Sequence, residues 1–126
     1  MDPRVELVEK AMQLIGGRWK PAIMFCLNMI GTHRFSELGR MIPGVSQRML
    51  TKQLRDLERH GLITRVYTEE IPPRVEYSST DLGRSLHPIY ESVCDWAGAN
   101  LSRPPIAAPD EVTEPAGKRR ATRRVR

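Results

Sequence analysis

Residues 46–63 read SQRMLTKQLRDLERHGLI, and the side chains in this stretch able to do chemistry are bases: Arg48, Lys52, Arg55 and Arg59. Wound as a helix at ~100° per residue, Leu50, Leu54 and Leu57 fall within about 60° of one another and form a stripe for a core. The four bases collect on the opposite side, with Thr51 at the margin and Asp56 and Glu58 on the flanks. A helix used only for packing gains nothing from such a face. One that approaches a polyanion needs it, because guanidinium and ammonium groups meet phosphates and can hydrogen-bond guanine edges.

Other chemistries find little support. His33, His60 and His87 share no helical face and have no nucleophile or acid motif beside them, so catalysis is not expected. Cys26 and Cys94 stand apart, without C-x-x-C or histidine at ligand spacing, which argues against a zinc site or a disulfide scaffold. No cofactor motif is present. Cys26 lies in an apolar segment and reads as a small buried hydrophobe. Cys94 is open between a packed side chain and a thiol that meets its own copy across an axis. Trp19 and Trp96 read as core or dimer anchors rather than base-stacking platforms.

The 126 residues suit one domain, and the net charge of +5 hints at an anionic partner. That charge is unevenly placed. Residues 103–126 carry seven bases against Asp110, Glu111 and Glu114, whereas residues 1–102 hold 13 bases and 12 acids. A case for nucleic acid in the domain must therefore rest on where its bases sit. The longest apolar run, PAIMFCLNMI, is broken by Asn28 and is too short for the ~20 residues of a membrane span. The charged start MDPRVELVEK lacks the pattern of a signal peptide, so a cytoplasmic protein is expected.

The elements that must position the basic face follow from periodicity. Val5, Val8, Met12 and Ile15 mark a first helix stopped at Gly16-Gly17. Trp19 opens a second helix, with Pro21 in its first turn, running to about Ile30. RFSELGRM supplies a third, closed by Pro43-Gly44, and Ser46 caps the basic helix. After Gly61 the period becomes two. LITRVYTEE and RVEYSS flank Ile71-Pro72-Pro73 as a β-hairpin, with Arg65 and Arg74 on it. Thr80 caps a last helix carrying Leu82, Leu86, Ile89, Tyr90, Val93, Trp96 and Ala97, which Pro88 should kink or delay. Beyond Arg103, RPPIAAPDEVTEPAG has four prolines and no period, predicting a disordered tail that ends in KRRATRRVR. The chain divides into a domain over 1–102 and a basic tail over 103–126.

This order of elements, mainly α with a small β-hairpin wing, is that of a winged helix-turn-helix: the second helix of the motif enters the major groove and the wing lies on the backbone or minor groove. The same residues resemble a family. LIGGRW (14–19), RFSEL (34–38), PGVSQRMLTKQLRDLERHGLITR (43–65), PPRVEY (72–77) and TDLGRSL (80–86) are similar, in order and spacing, to the motifs of the HxlR-type transcriptional regulators, a winged-helix family related to the MarR regulators. The resemblance spans residues 5 to about 97. It implies a homodimer built from the first and last helices, binding an inverted or direct repeat near a promoter. Two departures stand out. Many members carry an oxidant-sensing cysteine just before the first helix, where this chain has Glu6, which weakens a thiol switch. Ser79 replaces a large apolar residue between wing and last helix, so a looser junction is expected.

The expected DNA-binding set is Gln47, Arg48 and Thr51 on base edges and Lys52 and Arg55 on phosphates or bases. Ser46 stands at the helix start, Arg34 and Ser36 on phosphates from the preceding helix, and Arg65 and Arg74 on the wing. Arg59 is placed outside the groove. For Arg74, minor-groove insertion and pairing with Glu76 remain alternatives. The partners are double-stranded DNA and a second copy, and no residue specifies a small-molecule effector. The competing readings are a non-specific, architectural nucleic-acid binder relying on the tail, and a protein-binding adaptor on the same fold.

Overall fold

The computed structural model describes residues 2–101; the basic tail therefore lies outside the described residues. Helix α1 runs Pro3–Ile15, with the Asp2 carboxylate accepting from Arg4 N–H and proline in the first turn. Helix α2 spans Lys20–Ile30 and ends at Gly31. A two-residue strand β1, His33–Arg34, leads into α3, Phe35–Met41, and a short turn at Pro43-Gly44 precedes α4, Gln47–Arg59. Strands β2, Ile63–Thr68, and β3, Arg74–Ser79, form the hairpin. The chain then turns through α5, Asp81–Arg84, and α6, His87–Leu101.

The core gathers one face of each element. Ile23, Met24 and Leu27 of α2 meet Leu38 of α3, the Leu50, Leu54 and Leu57 stripe of α4, and Leu62 and Ile63 at the start of the wing. Tyr77 of β3 and Tyr90 of α6 close it, and the Tyr90 hydroxyl donates to the carbonyl of Ile15 at 3.0 Å, joining the first helix to the last. Burial pushes that phenol up to about 12, so it stays protonated and able to donate. Helix α1 contributes only Ile15 to the core. Its Val5, Val8 and Met12 are exposed, as are Ile89, Val93 and Trp96 of α6.

Three features differ from the pattern of the sequence. The sheet has three strands in the order β1-β3-β2, because His33 and Arg34 pair with Tyr77 and Glu76. Two residues are too few to leave a periodic signal. The last helix is divided: Thr80 caps α5, the chain breaks at Ser85-Leu86, and Pro88 sits in the first turn of α6, where its missing N–H leaves nothing unsatisfied. The junction behind the wing is tied rather than loosened. The buried Ser79 hydroxyl donates to Asn28 Oδ1 at 2.6 Å, and Asn28 Nδ2 donates to the Gly83 carbonyl at 3.1 Å. A closed polar bridge between α2, β3 and α5 stands where the family's large side chain is missing.

The passage from α4 into the wing is set by backbone. Gly61 adopts φ +79°, and the N–H groups of Gly61 and Leu62 return to the carbonyls of Glu58 and Leu57 at 3.0 Å each, a Schellman end with Leu57 and Leu62 both buried. Thr80 closes over it: its N–H donates to Leu62 O, its hydroxyl donates to Gly61 O, and the same oxygen accepts from Gly83 N–H. Gly83 lies so close that a Cβ there would be 2.2 Å from the Leu62 carbonyl oxygen and 2.9 Å from Met24 Cε. Gly83→Ala is expected to destabilise the domain by roughly 1–3 kcal/mol. At Gly39, a helical position where a Cβ would touch only Leu50 Cδ2 at 3.8 Å, alanine should be neutral or stabilising by up to ~1 kcal/mol. Urea unfolding midpoints of the two variants check the contrast; equal shifts would contradict it.

Candidate nucleic-acid interface

Helices α3 and α4 with the turn between them form the helix-turn-helix, and α4 carries the basic face. Ser46 caps it, its hydroxyl accepting from Met49 N–H at 3.0 Å. With the leucine stripe buried, Gln47, Arg48, Lys52 and Arg55 are exposed and Thr51 is half-buried. These side chains line one open groove of about 780 Å³, together with Lys20, Gln53, Asp56 and Arg59. Five cations, two amides, a hydroxyl and one carboxylate suit it to phosphate oxygens and to the hydrogen-bonding edges of bases.

The carboxylate changes the charge of this face. Asp56 is not merely on the flank: Lys20 Nζ lies 2.8 Å from its Oδ2, and Arg59 forms an ion pair with its other oxygen. The hydrogen bond from Lys20 holds the Asp56 carboxyl below its ordinary value, with Arg59 and His60 adding to the effect. Lys20 is absent from the expected set. It belongs to α2, 36 residues before Asp56, and no local spacing marks a pair that only the packing of α2 beside α4 creates. Arg59 lines the same groove but is engaged by Asp56.

The remaining expected residues lie elsewhere. Arg34 and Ser36 are exposed where β1 passes into α3, and the Glu37 carboxylate accepts the Arg34 backbone N–H at 2.8 Å, which holds its carboxyl below the ordinary value. Arg65 is exposed on β2 opposite Tyr77. Of the two alternatives for Arg74, the pairing is present: its guanidinium donates to Glu76 at 2.6 Å and to Glu70 at 3.3 Å, and Glu76 above all holds it more firmly protonated. Neither Arg34, Ser36, Arg65 nor Arg74 lines the groove on α4.

The two thiols differ. Cys26 packs against the core and burial pushes its thiol up, away from the reactive thiolate, while Cys94 is exposed on α6. Glu6 lies in the first turn of α1, inside the helix rather than before it. Among the described residues no group of His, Cys, Asp or Glu is arranged to hold a metal ion, and no helix is long and apolar enough to cross a membrane.

Comparison with known proteins agrees with this geometry. Residues 14–104 match the family model described as HxlR-like helix-turn-helix. The chain is 42% identical over 107 residues to the HTH-type transcriptional regulator YkvN of Bacillus subtilis, covering 85% of this chain and 90% of that one. Among solved structures it resembles the HTH-type regulator YtcD with a TM-score of 0.72 at 42% identity, over 77% of this chain and 98% of that one. The redox regulator HypR in its oxidized form gives 0.70 at 42% identity, over 74% and 95%. With a mainly helical fold, a helix-turn-helix and a three-stranded antiparallel wing, the chain belongs to the HxlR-like helix-turn-helix family and is a transcriptional regulator with a DNA-binding fold.

Proposed function

We propose that the protein is a sequence-specific, homodimeric regulator that reads promoter-proximal repeats, with α4 in the major groove and the wing along the backbone or minor groove. The observation that carries this reading is the groove on α4 that brings Gln47, Arg48, Thr51, Lys52 and Arg55 together along one face of the helix. Gln47, Arg48 and Thr51 reach base edges and Lys52 and Arg55 meet phosphate or base. Ser46 fixes the helix start and keeps its O–H free to donate. Arg34 and Ser36 lie on the flanking phosphates. Arg65 is the wing's exposed cation; Arg74 acts there by holding Glu70 and Glu76. The protein works on DNA in the cytoplasm.

A second copy is proposed from the apolar faces left uncovered. Val5, Val8 and Met12 recur along α1, and Ile89, Val93 and Trp96 along α6, each at least 48% exposed. Exposed apolar stripes of this kind on the terminal helices favour association over facing water. Cys94 follows Val93 in sequence but falls about 100° round α6 from it, off this stripe.

Three outcomes follow. Selection of sheared genomic DNA by the purified protein should retain a few fragments sharing a repeated half-site, and R48A/K52A/R55A should weaken binding to them at least ~100-fold, at ~1–3 kcal/mol per contact. Even retention across the genome, or an unaffected triple variant, contradicts the reading. Sedimentation should give about twice the 14.4 kDa chain mass, and Trp96→Asp should return the monomer with weaker operator binding. Removing residues 103–126 should lower affinity and flatten the salt dependence while leaving site preference intact, since the seven bases there add sequence-independent attraction. An unchanged salt slope would remove the tail from the account.

A further inference from the structure

The groove on α4 contains one residue that works against phosphate binding. Among its lining residues Asp56 is the sole acid beside Lys20, Arg48, Lys52, Arg55 and Arg59. It is not a distant neighbour of these cations: one oxygen is 2.8 Å from Lys20 Nζ, the other is hydrogen-bonded by Arg59, and its side chain retains 25% exposure. The Lys20 side chain is only 13% exposed where it meets the carboxylate. A helix built solely to maximise attraction to a polyanion would leave these two cations free.

A packing role alone does not explain the arrangement. The contact between the start of α2 and the last turns of α4 could be made by two apolar side chains, and exchanging a poorly hydrated ion pair for such a contact is commonly neutral or stabilising. Charge therefore has a use here beyond cohesion. Affinity for random DNA is set almost wholly by the number of phosphates neutralised, whereas preference for one site is a difference between two affinities. Lowering the first without touching the base-reading residues widens that difference.

We infer that Asp56 is a specificity-determining residue: by neutralising Lys20 and Arg59 it restrains sequence-independent phosphate binding, leaving Gln47, Arg48 and Thr51 at the other end of α4 to decide where the protein stays. This rests on the reading of α4 as the helix presented to DNA. Asp56 acts through the two cations it holds, and its removal liberates both.

The test measures the affinity of full-length wild type, Asp56→Asn and Lys20→Met for a genomically selected fragment and for a random duplex of equal length, across a salt series. For the random duplex Asp56→Asn should bind several-fold to ten-fold tighter at low salt, with a log–log salt slope steeper by about 1–2, at ~0.9 per phosphate newly engaged. Its preference for the selected fragment should fall several-fold. Lys20→Met removes a cation that Asp56 already holds back, so it should leave the random-duplex slope close to wild type, whereas a Lys20 that met phosphate itself would flatten the slope by about 1; this comparison stands even if Asp56→Asn folds poorly. An unchanged slope for Asp56→Asn, a slope flattened by about 1 for Lys20→Met, or parallel loss of affinity for both duplexes in each variant overturns the inference while leaving the regulator reading in place. Failure of wild type to bind any duplex removes both.

Discussion

The backbone junction at Gly61, Leu62, Thr80 and Gly83 is the constraint on which the rest of the molecule depends. There the end of α4, the residue leading into β2 and the cap of α5 meet within hydrogen-bonding distance, with carbonyls and N–H groups of each answered by another. Because Gly83 has no side chain, α5 sits directly on the Leu62 carbonyl. The direction in which the wing leaves the recognition helix is thus a property of main chain packed against main chain, which does not relax as side chains do. The Ser79–Asn28–Gly83 bridge extends the same joint to α2. Recognition helix, wing and body are thereby joined by hydrogen bonds and close packing at one place.

Electrostatics is then arranged on a nearly neutral frame. With 13 bases and 12 acids in residues 1–102, the basic face of α4 exists through sorting rather than excess. Acids are consumed locally: Glu70 and Glu76 hold Arg74, Asp81 pairs with Arg84, and Asp56 holds Lys20 and Arg59. Arg48, Lys52 and Arg55, exposed along α4, are the cations this sorting leaves for an external anion. Charge paired in this way is not equivalent to charge absent, because a bound phosphate competes with each internal carboxylate and the outcome depends on salt.

Much of this was legible from the residues alone, for reasons that differ by element. The leucine stripe and basic face of α4 are local, repeating at helical period over thirteen residues, so its cap, its length and its two faces follow from spacing. The hairpin was visible because Ile71-Pro72-Pro73 cannot continue a ladder and the flanks alternate. What escaped is non-local. Strand β1 exists only because β3 offers Tyr77 and Glu76 as partners. The Lys20–Asp56 pair joins residues far apart in the chain, and the polar bridge through Ser79 depends on Asn28, which the sequence shows only as an interruption in an apolar run. For Arg74 the sequence left minor-groove insertion and pairing with Glu76 both open, and the structure shows the ion pair, with Glu70 as a second partner.

The exposed stripes on α1 and α6 complete the physical argument. In the proposed complex one copy of the fold would place a single recognition helix on DNA, and a handful of contacts gives modest discrimination at ~1–3 kcal/mol each. Doubling the reader through a symmetric contact multiplies the two discriminations while the spacing between half-sites adds a geometric test that neither copy imposes alone. The requirement is that the two readers be held at a fixed separation. Within the chain Tyr90 ties α6 to the end of α1 and so to the core that carries α4, which is what the proposed homodimer would need. In the proposed homodimer, an apolar surface on helices anchored in this way would set the position of one recognition helix relative to the other through packed structure, without any flexible link between them.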